Sequence, residues 1–308
     1  MSRLVAVTGV TGFVGPHLVA ALARRGFRLR LLVRRWSPLP SLAGVDAELV
    51  LGDLSDEKAL KRLVAGADAV VHAAALIKAR RPADFQSVNR DGTALLSALA
   101  PDAQFVLLSS LAAREPGLSP YAASKRAAEQ VVTSRSGRWL IVRAPAVYGP
   151  GDRETLAYFQ TVAGGLAVRP AVPSARLSLV HVADLAEVLA RSVVRNLYGS
   201  LYEIDDGRAG GYTYREMGAE AGRAVGRKPL SLPVPRLVMA GLARINALNN
   251  ALGGRVQILT PPKVNEIFHS DWTIHDRRLP AVLEWAPQYD LASGFAGTIA
   301  WYRQAKWL

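Results

Sequence analysis

Apolar positions in the first 150 residues alternate between short continuous runs and longer stretches of helical period. Residues 3–8, RLVAVT, are a brief β-branched run that predicts a buried strand. A glycine-rich turn follows, then a helix with Val14, Leu18 and Leu22 on its apolar face and a stop at Gly26. FRLRLLVRR and AELVLGDL predict two further strands. SDEKALKRLVAGA predicts a helix capped by Ser55, with acidic residues in its first turn. ADAVVHAAA predicts a strand leaving into a small-residue turn. DFQSVNRDGTALLSALA predicts a helix, AQFVLLSS a strand over 104–109, SPYAASKRAAEQVVTSR a helix from Ser119, and RWLIVRAP a strand.

This alternation predicts βαβ units and a parallel sheet covered on both faces. Right-handed crossovers then make the fold class α/β, a doubly wound parallel sheet (Rossmann). Near residue 150 the pattern changes: Pro and Gly increase, and short strands such as RLSLV and SLYEI intersperse with helices. The expected division is a regular portion over 1–150, with 177–205 returning to it, and a smaller, irregular portion over 151–308.

Composition narrows the function classes. The chain has no cysteine, which excludes disulfides, cysteine nucleophiles and Cys-ligated zinc. The N-terminal SRLVAVTGVTGFVG enters a strand at once, leaving no room for a signal peptide, so a cytoplasmic protein is expected. No membrane span is expected. The most apolar segment, VPRLVMAGLARINALNNALGG, is interrupted by Arg236, Arg244 and asparagines, and reads as a helix with an apolar face near a pocket or partner. Net charge is +13, with six arginines between Arg24 and Arg35. No nucleic-acid motif accompanies them, so no nucleic-acid partner is expected.

Chemistry first appears at TGVTGFVG, which spaces Gly9, Gly12 and Gly15 as GxxGxxG at the first strand–helix junction. Glycine permits the tight turn and lets backbone N–H groups and the helix N-terminus approach a pyrophosphate. Residues 1–150 are therefore expected to bind a dinucleotide, and 151–308 mainly a substrate. At the end of the second strand, where a carboxylate would hold the ribose of NAD, stand Arg34 and Arg35. Guanidinium groups there suit a 2′-phosphate and favour NADP, with NAD as the alternative. Tyr121 and Lys125 stand four apart in LSPYAASKRAAEQ, on one face if that stretch is helical.

Together with GDL at 52–54, HAAA at 72–75, VNRDGT at 88–93, LLSS at 107–110, RAPAVYGPGD at 143–152 and HVADLAE at 181–187, these pieces cover nearly the whole chain. In that order they resemble the extended short-chain dehydrogenase/reductase family of NAD(P)-dependent epimerases, dehydratases and reductases. The resemblance implies a catalytic set of Ser110, Tyr121 and Lys125, although Ser109 could also take the serine role. It implies cofactor contacts from Gly9, Thr11, Gly12, Phe13, Val14, Gly15, Arg34, Arg35, Asp53, Leu54, Ala73, Ala74, Ala75, Asn89, Tyr121, Lys125, Pro145 and Val147, and no metal. The usual Arg-Pro pair is split here by Ala144. His72 and His181 read as structural, at a strand end and a helix cap. A homodimer through residues 85–100 and 119–136 is also implied.

Sugar 4,6-dehydratases of this family carry Asp-Glu after the catalytic hydroxyl, where this chain has Leu111 and Ala112. Three readings stay open. The leading one is an NADP-dependent oxidoreductase acting on a carbonyl or alcohol of a small-molecule substrate. The others are a nucleotide-sugar epimerase working through a transient ketone, and a non-catalytic NADPH-binding structural or redox-sensing protein. Arg153, Arg169, Arg176 and Arg208 could hold a diphosphate. The apolar 230–252 segment and tryptophans 272, 285, 301 and 307 could instead line an apolar pocket, or pack the core around the C-terminal helix.

Overall fold

Apolar runs buried on both faces are the requirement of a parallel sheet, and they form one here. The computed structural model describes residues 3–35, 45–195, 197, 199–251, 257 and 259–308. In chain order come β1 (Leu4–Thr8), α1 (Val14–Ala23), β2 (Arg28–Val33), β3 (Ala47–Leu51), α2 (Glu57–Val64) and β4 (Ala69–His72). Then follow α3 (Pro82–Phe85), α4 (Gly92–Leu99), β5 (Gln104–Ser110), α5 (Pro120–Thr133) and β6 (Trp139–Ala144). The sheet runs β3-β2-β1-β4-β5-β6-β11, all parallel, with β11 being Ser200–Glu203. Strand order reverses between β1 and β4, the switch point where α/β sheets bind ligands beyond their carboxyl ends.

Two local expectations change. The helix expected across DFQSVNRDGTALLSALA is three pieces: α3, a π-helical turn at Gln86–Asp91, and α4. The cap of α2 is Asp56, whose side chain accepts from Ala59 N, while Ser55 donates its hydroxyl to Asp53 instead.

The remaining elements are β7 (Ala146–Tyr148), α6 (Leu156–Ala163), β8 (Leu166–Pro170), β9 (Arg176–Leu177), β10 (Leu179–His181) and α7 (Val182–Arg195). After β11 come β12 (Tyr212–Thr213), α8 (Tyr214–Val225), β13 (Leu230–Val234), α9 (Arg236–Ala251), α10 (Pro261–Ile267), β14 (Asp271–Trp272), α11 (Leu279–Leu283) and α12 (Leu291–Gln304). One compact unit comprises Met1–Ala144, Leu185–Glu203 and Asp276–Trp285; the second comprises Pro145–Asp184, Ile204–His275 and Ala286–Leu308. In the second unit the expected strand RLSLV is split at Ser178, whose hydroxyl donates to Asp205 and accepts from Ile274 N. Its core is aromatic, with Tyr148, Phe159, Phe295 and Tyr302 meeting edge to face.

Candidate active site

The turn after β1 is shaped by backbone crowding. Gly9 has φ +81°, and a Cβ there would lie 2.6 Å from Ala74 N and 2.7 Å from the Ala73 carbonyl carbon. A Cβ on Gly15 would lie 2.4 Å from the carbonyl oxygens of Gly9 and Val10. Gly12 is different: its Cβ would meet only Gly9 O, at 3.3 Å. No side chain caps α1, and no carboxylate stands in its first turn. Helix N–H groups and the positive end of the dipole are thus offered without a competing protein anion, a cradle that fits a pyrophosphate.

Around this cradle Thr11, Gly12, Arg34, Arg35 and Asp53 are exposed, while Phe13, Val14, Leu54 and Ala73–Ala75 are half-buried. The hydroxyl and backbone N–H of Ser55 hold the Asp53 carboxyl below the usual range, and the nearby Arg34 cation adds to this. Leu54 packs against Gly92 at the start of α4.

Thr8 and His72 are paired in register across β1 and β4. A directed hydrogen-bond chain runs through them. Thr93 Oγ1 donates to Asn89 O at 2.6 Å, so it must accept from His72 Nε2 at 2.9 Å. His72 Nδ1 then accepts from Thr8 Oγ1 at 2.6 Å, and Thr8 Oγ1 accepts from Ala74 N at 3.3 Å. Full burial, with the Lys125 charge adding, pushes the His72 imidazole down to about 3. His72 is a neutral spacer that ties the glycine turn and the 73–75 loop to the π-helical turn. His181 ends β10, accepts from Ala183 N and stacks on Tyr289.

The π-helical turn carries Asn89, which is 2% exposed. Its Oδ1 accepts from Leu76 N at 2.6 Å, and its Nδ2 donates to Leu76 O at 3.0 Å and to Ser124 Oγ at 2.9 Å. Ser124 in turn donates to Tyr121 O at 2.7 Å. Asn89 thereby joins the loop after β4 to the first turns of α5. That helix is capped by Ser119, whose Oγ accepts from Ala122 N. Tyr121 is half-buried with its ring edge-on to Phe85. One turn on, Lys125 is 3% exposed and donates to Leu108 O at 2.8 Å. Desolvation lowers its ammonium to about 8, against an opposing pull from Glu129.

Strand alternation separates the two candidate serines, because successive side chains point to opposite faces. Ser109 lies in register with Arg143, is buried, and donates to Glu129 Oε1 at 2.6 Å. Ser110 points the other way, is half-buried, and accepts from Ala112 N at 3.2 Å. Ser124 and Glu129 are the residues sequence reading passed over. Their signal was helical spacing, at three residues from Tyr121 and four from Lys125.

Other candidates lie in the second unit. Pro145 precedes β7, and Val147 pairs with Val180 of β10. The four arginines considered for a diphosphate are engaged within that unit. Arg153 covers the Trp307 ring, Arg169 donates to Ser231, Arg176 to the Gly210 and Gly211 carbonyls, and Arg208 to Glu216. Trp272, Trp301 and Trp307 pack against the aromatic core. Among the described residues no cluster could hold a metal ion, and no helix is long and apolar enough to cross a membrane.

Comparison with known proteins identifies the family. The model of the NAD dependent epimerase/dehydratase family matches residues 5–200. A ceramide reductase of Caulobacter vibrioides is 42% identical over 309 residues, 99% of this chain and 96% of that protein. A 4-hydroxy-2-methyl-3-oxo-4-farnesyl-3,4-dihydroquinoline-1-oxide ketoreductase of Stigmatella aurantiaca is 30% identical over 65% of this chain and 67% of its own length. The crystal structure of gox2253 superposes over all of both chains with a TM-score of 0.81 at 24% identity, a likeness of fold. The chain belongs to the NAD dependent epimerase/dehydratase family, and is a nicotinamide-dependent oxidoreductase or epimerase of the extended short-chain dehydrogenase/reductase type.

Proposed function

We propose that this chain is an NADP-dependent reductase of a ketone carried on an apolar, ceramide-like lipid, with Ser110, Tyr121 and Lys125 handling the substrate oxygen. The observation that carries the reading is the buried Lys125 ammonium, one helical turn from Tyr121. A free tyrosine hydroxyl, with a pKa near ~10, is a poor proton donor and acceptor at neutral pH. A fixed cation in a dry setting favours the ionised form of a neighbouring hydroxyl, which eases proton exchange.

The bound nicotinamide supplies the hydride. Tyr121 gives its proton to the substrate oxygen as charge develops there, and Ser110 donates a hydrogen bond to the same atom. Ser109 is engaged with Glu129, which leaves Ser110 for this role. Gly9, Gly12, Gly15 and the start of α1 hold the pyrophosphate, and Arg34 and Arg35 hold the 2′-phosphate. Asn89 acts as a positioning residue through Leu76 and Ser124.

The ceramide-like substrate class is supported by the 42% identity to the Caulobacter ceramide reductase across nearly all of both chains. It is also supported by the engagement of Arg153, Arg169, Arg176 and Arg208 with their own unit, which disfavours a nucleotide-sugar diphosphate. The test incubates purified protein with NADPH and a long-chain amide bearing a ketone, with products read by mass spectrometry. A product heavier by two hydrogen atoms, formed with matching NADPH consumption, is expected. Tyr121→Phe should slow turnover by about 10²–10⁴-fold while cofactor affinity is retained. Epimerisation of a nucleotide sugar without net NADPH consumption, or unchanged turnover in that variant, would overturn the proposal.

A further inference from the structure

Helix α9 is apolar on two opposite sides. Its inner side packs Met239 and Ala243 against Val264 and Phe268 of the α10 region. Its outer side presents Leu237, Gly241, Ile245 and Leu248 at helical spacing, flanked by Val238 and Leu242. Leu237 is 80% exposed, Ile245 59% and Leu248 61%. A soluble surface helix carries charge on its outer face, and one that is apolar all round is normally covered.

Three observations identify the cover. From Ala221 to Asn265 the chain has seven Lys and Arg and no Asp or Glu, within a protein of net charge +13. Two of these cations flank the face. Arg236 donates to Asn265 at 2.6 Å and lies over the Phe268 ring, and exposed Arg244 follows two turns later. Both line an open groove of about 400 Å³ with Asn265, Pro261 and Pro262. Finally, the helix has 16 residues, roughly 24 Å, and contains Arg244, so it suits lying in an interface and not crossing it. A second copy of the chain fits poorly, because a two-fold contact on this face would set Arg236 and Arg244 of one copy against those of the other.

We infer that α9 is an interfacial helix that docks the protein on an anionic phospholipid bilayer. Leu237, Leu242, Ile245 and Leu248 enter the headgroup–acyl boundary, and Arg236 and Arg244 meet the phosphates. This goes beyond the proposed reaction. Vesicle binding is read without turnover, so the two can fail separately.

The experiment is flotation with vesicles of phosphatidylcholine alone and of phosphatidylcholine with phosphatidylglycerol. The intact chain should float with the anionic vesicles and much less with the neutral ones, and high salt should weaken the binding. Leu237→Ser/Ile245→Ser/Leu248→Ser should reduce binding about tenfold or more. Its thermal midpoint and dinucleotide affinity should stay near those of the parent. Because the chain has no cysteine, Ile245→Cys can carry a single environment-sensitive fluorophore in an otherwise intact protein. Its emission should shift to the blue on adding anionic vesicles. Absence of flotation with a silent probe overturns the inference. So does a homodimer that the triple variant dissociates while vesicle binding is unaffected.

Discussion

Arg143 grips Glu129 with two parallel hydrogen bonds, Nε to Oε1 at 2.8 Å and Nη2 to Oε2 at 2.7 Å, one helical turn beyond Lys125. Both side chains are buried. Arg143 also faces Glu203 at 3.6 Å, its register partner on β11, while Ser109 donates to Glu129 and Arg126 lies 3.6 Å from its Oε2. Pairing keeps the Arg143 guanidinium charged despite its desolvation. Glu129→Gln removes the charge from one side and leaves a buried cation short of its partner. It should cost about 3 kcal/mol or more in urea unfolding. It should also remove the one charge that raises Lys125, moving the alkaline limb of the kcat/KM profile to lower pH. An unmoved limb would separate this network from the proposed site.

Lys125 gives a prediction whose sign runs against intuition. Its folded pKa is lowered from 10.5 to about 8. Below pH 8 folded and unfolded chains both hold the proton, and the folded state bears the whole desolvation cost. Between pH 8 and 10.5 the unfolded chain binds more proton, so this group's contribution to stability rises with pH. Lys125→Met should therefore be inactive yet more stable than the parent by about 1–3 kcal/mol at pH 7. The gap should close as pH approaches 10.5. Urea titrations of both proteins at pH 7 and pH 10 measure it.

His72 makes the opposite end of the pH range informative. Its folded pKa near 3 lies below the ordinary 6.5, so the neutral ring's contribution is fully present above pH 6.5 and is lost as pH falls toward 3. Inside that window unfolding takes up one proton at this site, and stability should fall by about 1.4 kcal/mol per pH unit. His72→Gln gives up hydrogen bonds and starts from a lower midpoint. Its midpoint should nevertheless fall less steeply between pH 6.5 and 4. Parallel slopes would mean the acid sensitivity lies elsewhere.

The βαβ frame was legible because strands buried on both faces are continuous apolar runs, and the placement of Tyr121 and Lys125 four apart on one helix is a local pattern. What escaped was set by distant partners. The π-helical turn hides inside DFQSVNRDGT because nothing local marks it; it coincides with the bonds of Asn89 to Leu76 and Ser124, which lie 13 and 35 residues away. The cap of α2 was misplaced by one residue because Ser55 and Asp56 are both capping types, and Asp53 draws the serine hydroxyl. In the second unit β9, β12 and β14 have two residues each, too few to show a period.

The three glycines of the turn should separate folding from cofactor binding. Gly15→Ala sets a methyl 2.4 Å from two backbone carbonyl oxygens, which cannot give way as a side chain would, and should cost several kcal/mol or prevent folding. Gly12→Ala meets only Gly9 O at 3.3 Å and should stay within about 1 kcal/mol of the parent. Its new methyl stands on the exposed side of the cradle, so dinucleotide affinity should fall about tenfold or more. Thermal melts with fluorescence titrations of NADPH read the two effects independently.

Arg34 tests the proposed preference for NADP. It follows β2, is exposed, and stands close enough to Asp53 to help hold that carboxylate ionised. A guanidinium there rewards a 2′-phosphate, whereas a lone carboxylate at the same strand end would repel it. Arg34→Ser should weaken NADPH binding about tenfold and leave NADH binding nearly unchanged, because the ribose hydroxyls make no call on the lost charge. It should also leave the thermal midpoint of the protein without dinucleotide unmoved, since the side chain is solvated. Titrating both dinucleotides against both proteins gives four affinities. The parent binding NADH as tightly as NADPH, or the variant losing both equally, would remove the 2′-phosphate from the assignment and leave Arg34 as part of a basic edge.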